Sequence, residues 1–426
     1  MQTTDDVRTI DAAAPGTPPP SASPPRAGRS LAARKISELV ERAVAESGIS
    51  CAVKLASGEV LRFGGGEPQF TVTFHSDKAL LGAMNEDSLG QAYVNGEFDL
   101  DGDMFAMQEV RRLLAANANP GLMLKSLYQL MLLPATWLNK RAIASHYTFG
   151  DDLYLSFIDT AYRFYSQCLF RSKDDTLEKA AENKLDTLYN ALDLKPGMRL
   201  LDIGAGWGGV HEYCGPRGVH VTSLTLTNDS YNFVRGVDQR LGLGHCSVRV
   251  EDFLDHRPAE PYDAVVILGV IEHIPYYRRF ATKLWDCLKL GGRLYLDASA
   301  SIQKYNASDF TRRYVWPGTH SFLCLQDLVR ELLYHGLEVV ETVNESHDYE
   351  LTMRHWAERF ERKREELVAR WGEEICRIFR LYLWTGSYGF HDGSLQAYHV
   401  VAQKRSDRGP RPGAFTRAAQ FVQSLK

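Results

Sequence analysis

Leu200–Gly209 reads LLDIGAGWGG: apolar residues run into Asp202, and four glycines follow within six positions. A buried strand that ends on an acid and turns through glycines begins a ligand-binding α/β unit, because glycine permits a tight bend and a close backbone approach. Gly204, Gly206 and Gly209 also satisfy G-x-G-x-x-G, the pattern of dinucleotide sites, which recurs easily by chance. The opening question is therefore which adenosine this turn holds.

Outward from that turn, a helix is expected from Trp207. VHVTSLTL (219–226), CSVRVED (246–252), YDAVVILG (262–269) and GRLYLDAS (292–299) read as further strands with helical stretches between them, and LEVVETV (337–343) with QAYHVVAQK (396–404) as a closing strand pair. Strands alternating with helices predict a mostly parallel, doubly wound sheet, whose ligand lies at the carboxyl ends of the strands. Upstream, ARKISELVERAV has helical spacing, CAVKL, VLRF and FTVTFH alternate as strands, and SLGQAYVNGEFDLDGDM is turn-rich, which together predict a small α+β domain. The expected organisation is a disordered Pro/Ala/Ser-rich leader over 1–29, the small domain over 30–118, a linker helix over 119–144, the main α/β domain over 145–404 and a basic tail over 405–426. The densely apolar segment 120–139, broken by Pro134, reads as a core helix linking the domains or as a lipid-facing element.

A chain of 426 residues suits two domains, and 44% hydrophobic with 24% charged residues is ordinary for a globular protein. The net charge of −4 gives no sign of a nucleic-acid partner. Seven scattered cysteines without a C-x-x-C predict reduced thiols in the cytoplasm and no metal site. No basic start followed by an apolar run suggests a signal peptide, and no stretch is long enough for a membrane span.

Three features favour a different adenosine from that of a nicotinamide dinucleotide. The strand after the glycine turn ends in TSLTLTN without the acid that a dinucleotide ribose needs. Trp207 places a large ring among glycines that would otherwise hug a pyrophosphate. The fourth and fifth strands run into GVIEHI and LDASAS, which puts acids at adjacent strand ends, either for chemistry or for ordinary capping. Asp202 can orient the glycine loop or receive the amino group of an amino-acid-like cofactor. Glu251 can face ribose or adenine, or cap a following helix with Asp252.

The ordered series HYTFGDDLY, YSQCLF, DDTLEKAAENKLD, LKPGMRLLDIGAGWGG, VTSLTLT, IEHI, LKLGGRLYL, YVWPG and YELTMRHWAERF resembles the cyclopropane-fatty-acid synthase family over residues 145–404. The resemblance implies an α/β class I, Rossmann-like methyltransferase domain with a mostly parallel seven-stranded sheet, plus a smaller N-terminal α+β domain. It also implies S-adenosylmethionine as cofactor and transfer of a methyl or methylene group to the double bond of unsaturated phospholipid acyl chains. By position, Tyr165, Ser166, Asp202, Gly204, Gly206, Trp207, Thr225, Leu226, Glu251 and Leu268 are its expected cofactor contacts, with Ser230 standing where the family often has glutamine. Glu272, His273 and Tyr349 are expected beside the reacting centre, and Tyr165, Trp316 and Tyr349 are aromatic candidates to steady a cation. The implied setting is cytoplasmic, peripheral to the inner face of the membrane, with a homodimer also allowed.

The chain departs from the family at two ligands of the bicarbonate ion that acts as base in typical members. The cysteine position is Gln167 and the histidine position is Asp297. An ionised aspartate repels an anion that a histidine would hold, so bicarbonate is not expected here. The expectation is instead that Asp297 supplies a built-in carboxylate base and shares a proton with Glu272. Other readings are a methyl-branched product, an amine or other small-molecule acceptor, a non-methylating binder of S-adenosylmethionine and a dinucleotide oxidoreductase.

Overall fold

The computed structural model describes residues 31–76, 86–114, 150–305, 307–316, 320–405 and 412–424. The leader, the linker segment and its apolar run lie outside the described residues.

The small domain is a four-stranded sheet in the order β2-β1-β3-β4, from Cys51–Lys54 (β1), Val60–Phe63 (β2), Phe70–Phe74 (β3) and Phe98–Gly102 (β4). Helices Leu31–Ser47 (α1), Glu86–Val94 (α2) and Met104–Leu114 (α3) accompany it. The turn-rich reading of SLGQAYVNGEFDLDGDM is corrected. Its first part is the end of α2, and FDLDG is β4, with Phe98 and Leu100 buried as it pairs antiparallel to β3.

The main domain holds a seven-stranded sheet in the order β10-β11-β9-β8-β5-β6-β7. Its strands are Arg199–Ile203 (β5), His220–Thr225 (β6), Ser247–Val250 (β7), Tyr262–Leu268 (β8), Leu288–Ala300 (β9), Leu337–Asn344 (β10) and Gln396–Lys404 (β11). β5 to β9 run parallel, and β11 lies antiparallel between β9 and β10. The sequence reading of a mostly parallel seven-stranded α/β sheet is borne out. Leu200, Leu201, Val265, Val266, Leu294 and Leu296 are fully buried, as strands covered on both faces require.

Helix Leu177–Ala191 (α4) starts under Thr176, whose hydroxyl accepts from the Lys179 amide at 3.2 Å, a side-chain N-cap. It buries Lys184 against the sheet. Helix Asn228–Leu241 (α5) is capped in the same way by Thr227. Helices Ser346–Arg362 (α6) and Glu373–His391 (α7) pack on each other, and α7 also contacts α2 and α3 of the small domain. That joint is polar and specific. Arg377 donates to the Tyr93 and Phe98 carbonyls, Arg380 to the Leu100 carbonyl and the Tyr93 hydroxyl, and Gln108 to Thr385.

Candidate active site

A cavity of about 1230 Å3 follows the carboxyl ends of β5, β6, β8 and β9 and continues into the small domain. Its position follows from the topology, because the strand order runs outward from β5 in both senses, to β6 and β7 on one side and to β8 and β9 on the other, and leaves a crevice there.

At one wall the chain turns through Gly204 and Gly206 with φ of +108° and +49°. A Cβ on Gly204 would meet the Val270 side chain at 2.5 Å, so the turn needs glycine for space as well as conformation. Ser230 Oγ ties the turn to α5 by donating to the Gly206 carbonyl at 2.6 Å. Asp202 is buried under the turn and accepts from Ser223 Oγ at 2.6 Å, and Ser223 in turn lies 2.7 Å from His211 Nε2. Burial pushes the Asp202 carboxyl up to about 6, opposed by the Ser223 bond and His211. Glu251 follows β7, its amide donates to the Thr225 carbonyl at 2.9 Å, and His256 holds its carboxylate at 3.0 Å. It begins no helix, so the capping alternative is set aside. Tyr165, Ser166, Asp202, Trp207, Thr225, Leu226, Glu251 and Leu268 all line the cavity.

The opposite wall carries Glu272, His273, Ser299, Trp316 and Tyr349. Glu272 is almost fully buried, and its Oε1 accepts from both the Ser299 amide at 2.9 Å and the Ser299 hydroxyl at 2.8 Å. Its Oε2 has no hydrogen-bond partner among the described residues. Burial pushes the Glu272 carboxyl up to about 7; the Ser299 bonds oppose the rise and the Asp297 charge adds a smaller push. The carboxyl is therefore poised to hold or release a proton near neutrality. His273 packs against Trp316 and His320, and burial pushes it down to about 4, so it is neutral at pH 7. Tyr349 stacks on Phe390 at 4.4 Å, and burial holds its phenol far above the usual range, leaving it a neutral hydroxyl.

Residues 136–400 match the family described as mycolic acid cyclopropane synthetase, which is more than half of the chain. The chain belongs to the mycolic acid cyclopropane synthetase family. A probable fatty acid methyltransferase of Mycobacterium tuberculosis is 31% identical over 63% of this chain and 64% of its own length. The chain thus spans just under two thirds of that relative. A probable fatty acid methyltransferase of Pseudomonas putida is 27% identical over 84% of this chain and 93% of its own. The cyclopropane-fatty-acyl-phospholipid synthase of Escherichia coli is 26% identical over 76% and 84%. Among solved structures, a cyclopropane synthase from Mycobacterium tuberculosis aligns with a TM-score of 0.59 at 23% identity, covering 64% of this chain and all of that one. A coclaurine N-methyltransferase bound to S-adenosylhomocysteine aligns at 0.58 and 17% identity, covering 75% of this chain and 98% of that one. The fold is that of the class I S-adenosylmethionine-dependent methyltransferases.

Within this family member, two expected catalytic side chains are elsewhere. Asp297 is fully buried and does not line the cavity; its Oδ2 forms an ion pair with Lys184 Nζ at 2.8 Å and its Oδ1 accepts from the Gly269 amide at 2.9 Å. The expectation that Asp297 is a base facing the substrate is corrected. The reason is position along the strand: Asp297 and Ser299 share a face of β9, and Ser299, two places nearer the strand tip, meets Glu272 while Asp297 meets Lys184 of α4. Burial raises the Asp297 carboxyl to about 6, and the neighbouring Lys184 works against that rise. The raised Glu272 comes mainly from burial rather than from a proton shared with Asp297. Gln167 is likewise buried away from the cavity, where its amide donates to Glu345 at 3.0 Å.

Sequence reasoning missed Lys184 and Ser299. Lys184 also donates to Ser166 Oγ at 2.5 Å and to the Gln167 carbonyl at 2.9 Å, linking Asp297 to the segment that carries Tyr165 and Ser166. A lysine on the inward face of an amphipathic helix was the available signal. Ser299 carried none, because a serine at a strand tip has many ordinary uses.

Proposed function

We propose that the chain is an S-adenosylmethionine-dependent C-methyltransferase that adds one carbon to the double bond of an unsaturated lipid acyl chain. One observation carries the reading: a single cavity joins the glycine turn to Glu272 and then to a long apolar lining.

The cofactor fits the residues present. The positive-φ glycines leave a concave backbone that a Cβ would fill, and Asp202 and Glu251 offer acceptors for amino and hydroxyl groups at the strand tips. Gly204, Gly206, Tyr165, Ser166, Trp207, Thr225, Leu226, Glu251 and Leu268 would hold it. When bound, it supplies a sulfonium-activated methyl group, which needs no protein nucleophile. The chain's own residues then align the acceptor, exclude water and manage charge. Trp316 and Tyr349 line the same cavity, and aromatic rings there favour a positive carbon. Glu272 lines the same cavity with Oε2 unpartnered among the described residues, and is the group that takes a proton from the methylated chain. Asp297 fixes the segments around it instead of acting as base.

A lipid substrate implies contact with a membrane surface. No helix among the described residues is long and apolar enough to cross one. The helix Ala414–Ser424 leaves Phe415 and Val422 exposed, which supports a surface contact. Its Arg417 is engaged by Glu331 on the helix Leu325–Tyr334, so the tail is more than a loose basic extension.

The test is incubation with methyl-labelled S-adenosylmethionine and vesicles of monounsaturated phospholipid, followed by lipid mass spectrometry. A one-carbon gain on the unsaturated chain is expected, and loss or retention of the double bond separates ring from branch. Absence of label from every unsaturated lipid, with label on amine acceptors, overturns the reading.

A further inference from the structure

The cavity does not stop at the reacting wall. It runs past Phe310 and Gly90, where the two domains meet, and into the interior of the small domain. There it is lined by Ile36 and Val40 of α1, Val53 of β1, Phe70 and Val72 of β3, and Leu100 of β4. These are core positions: Ile36, Val53, Phe70 and Leu100 are each at most 7% exposed. A domain of this size ordinarily closes its core to the density of an organic crystal, because every void forfeits contacts. Here the same side chains form the walls of a chamber open to the catalytic domain.

The join between the domains has its own requirement. Gly90 lies in α2, and a Cβ at that position would meet the Phe310 ring at 2.9 Å. Any side chain there would press on the Phe310 ring, so glycine permits the close approach of α2 to the catalytic domain beside the cavity. The polar groups are distributed unevenly. The six chamber residues are all uncharged, whereas Arg111 and Arg112 border the cavity from the last turn of α3, with Arg112 half exposed. A hydrated lipid headgroup cannot be desolvated inside the chamber without partners.

We infer that the small domain is a receptacle for the methyl-terminal segment of the acyl chain, and that the depth of its chamber decides which double bond comes to rest beside Glu272. The inference rests on the lipid reading above. With the chain end seated against the β1–β3 floor, the number of carbons between floor and reacting wall is fixed by the chamber. A double bond closer to the carboxyl end overshoots the wall and one closer to the methyl end falls short. Specificity of this kind is set by volume, and a single methylene in an apolar pocket discriminates by roughly 10-fold or more.

The experiment uses full-length protein and phospholipid vesicles whose chains are equal in length and differ only in the position of one cis double bond. Methyl transfer to each is measured, together with S-adenosylhomocysteine affinity by calorimetry. Val53→Phe and Val72→Phe make the chamber shallower. Each is expected to shift the preferred bond toward the methyl end, changing the ratio of rates by about 10-fold while cofactor affinity is unchanged. Leu100→Ala deepens the chamber and is expected to shift the preference the other way. Val72 is only partly buried, so its variant stays informative if Val53→Phe fails to fold. An unchanged bond preference in variants that bind cofactor normally overturns the inference, as does a shift in the opposite direction. Wild-type protein that methylates no lipid at all defeats the functional reading instead, which separates the two failures.

Discussion

In the proposed function, Glu272 concentrates the chemistry of the site in one carboxyl. Its pKa near 7 arises because burial removes the water that would stabilise the anion, and two Ser299 donors restore only part of that loss. The working form of a base is the ionised one, so activity is expected to rise with pH through about 7 and to fall away on the acid side. A pH–rate profile under saturating cofactor checks this. Glu272→Gln keeps the shape and removes the base, and is expected to lower turnover by roughly 10²–10⁴-fold with cofactor affinity retained. Ser299→Ala removes one donor to the anion and is expected to move the acid limb upward by about one pH unit. Gly204→Ala acts on the other wall. Its φ of +108° and the 2.5 Å approach to Val270 make any side chain strained, so cofactor binding measured by calorimetry is expected to weaken at least about 10-fold.

At the scale of elements, the ion pair between Lys184 of α4 and Asp297 of β9 binds a helix to the sheet beneath the site. Both side chains are about 1% exposed. A buried pair adds little to stability over an apolar pair, but breaking it strands a charge. Lys184→Met is expected to destabilise the fold by about 3–5 kcal/mol in chemical denaturation, while Lys184→Met with Asp297→Leu recovers most of that loss. The double variant tests more than stability. Lys184 also positions Ser166 and the Gln167 carbonyl, and Asp297 the Gly269 amide, so the recovered protein is expected to keep a raised KM for S-adenosylmethionine. The pair is thus a positioning device. Its carboxylate stands on the β9 face that, two residues further along, delivers Ser299 to Glu272.

For the whole molecule, the proposed function depends on one cavity lined by both domains. Their joint is made by α7, whose Arg377 and Arg380 donate to backbone carbonyls of the small domain and to Asp99 and Tyr93. Replacing both arginines with alanine removes these bonds and leaves the glycine turn untouched. Cofactor affinity is expected to persist while lipid methylation falls at least about 10-fold, since an acyl chain loses one end of its pocket. Limited proteolysis between the domains, faster in the variant, reports the undocking.

Local pattern was enough for the sheet and for the glycine turn at its carboxyl edge. LLDIGAGWGG carries its own conformation, because positive φ and close approach are properties of glycine wherever it stands, and the buried strands are legible as short apolar runs between helical segments. The IEHI segment was likewise visible as an acid at a strand end. The sequence alone did not distinguish which of two carboxylates faces the substrate, since Glu272 and Asp297 sit at adjacent strand ends. Tertiary structure separates them: a lysine from α4, more than a hundred residues away in sequence, pairs with Asp297 away from the cavity, while Glu272 lines it with Oε2 unpartnered among the described residues. The joined cavity was equally beyond local reading, because its walls come from α1, the small sheet, α7 and the strand tips at once. A residue's pattern tells which face is apolar, and only packing determines whether that face meets another side chain or encloses a space.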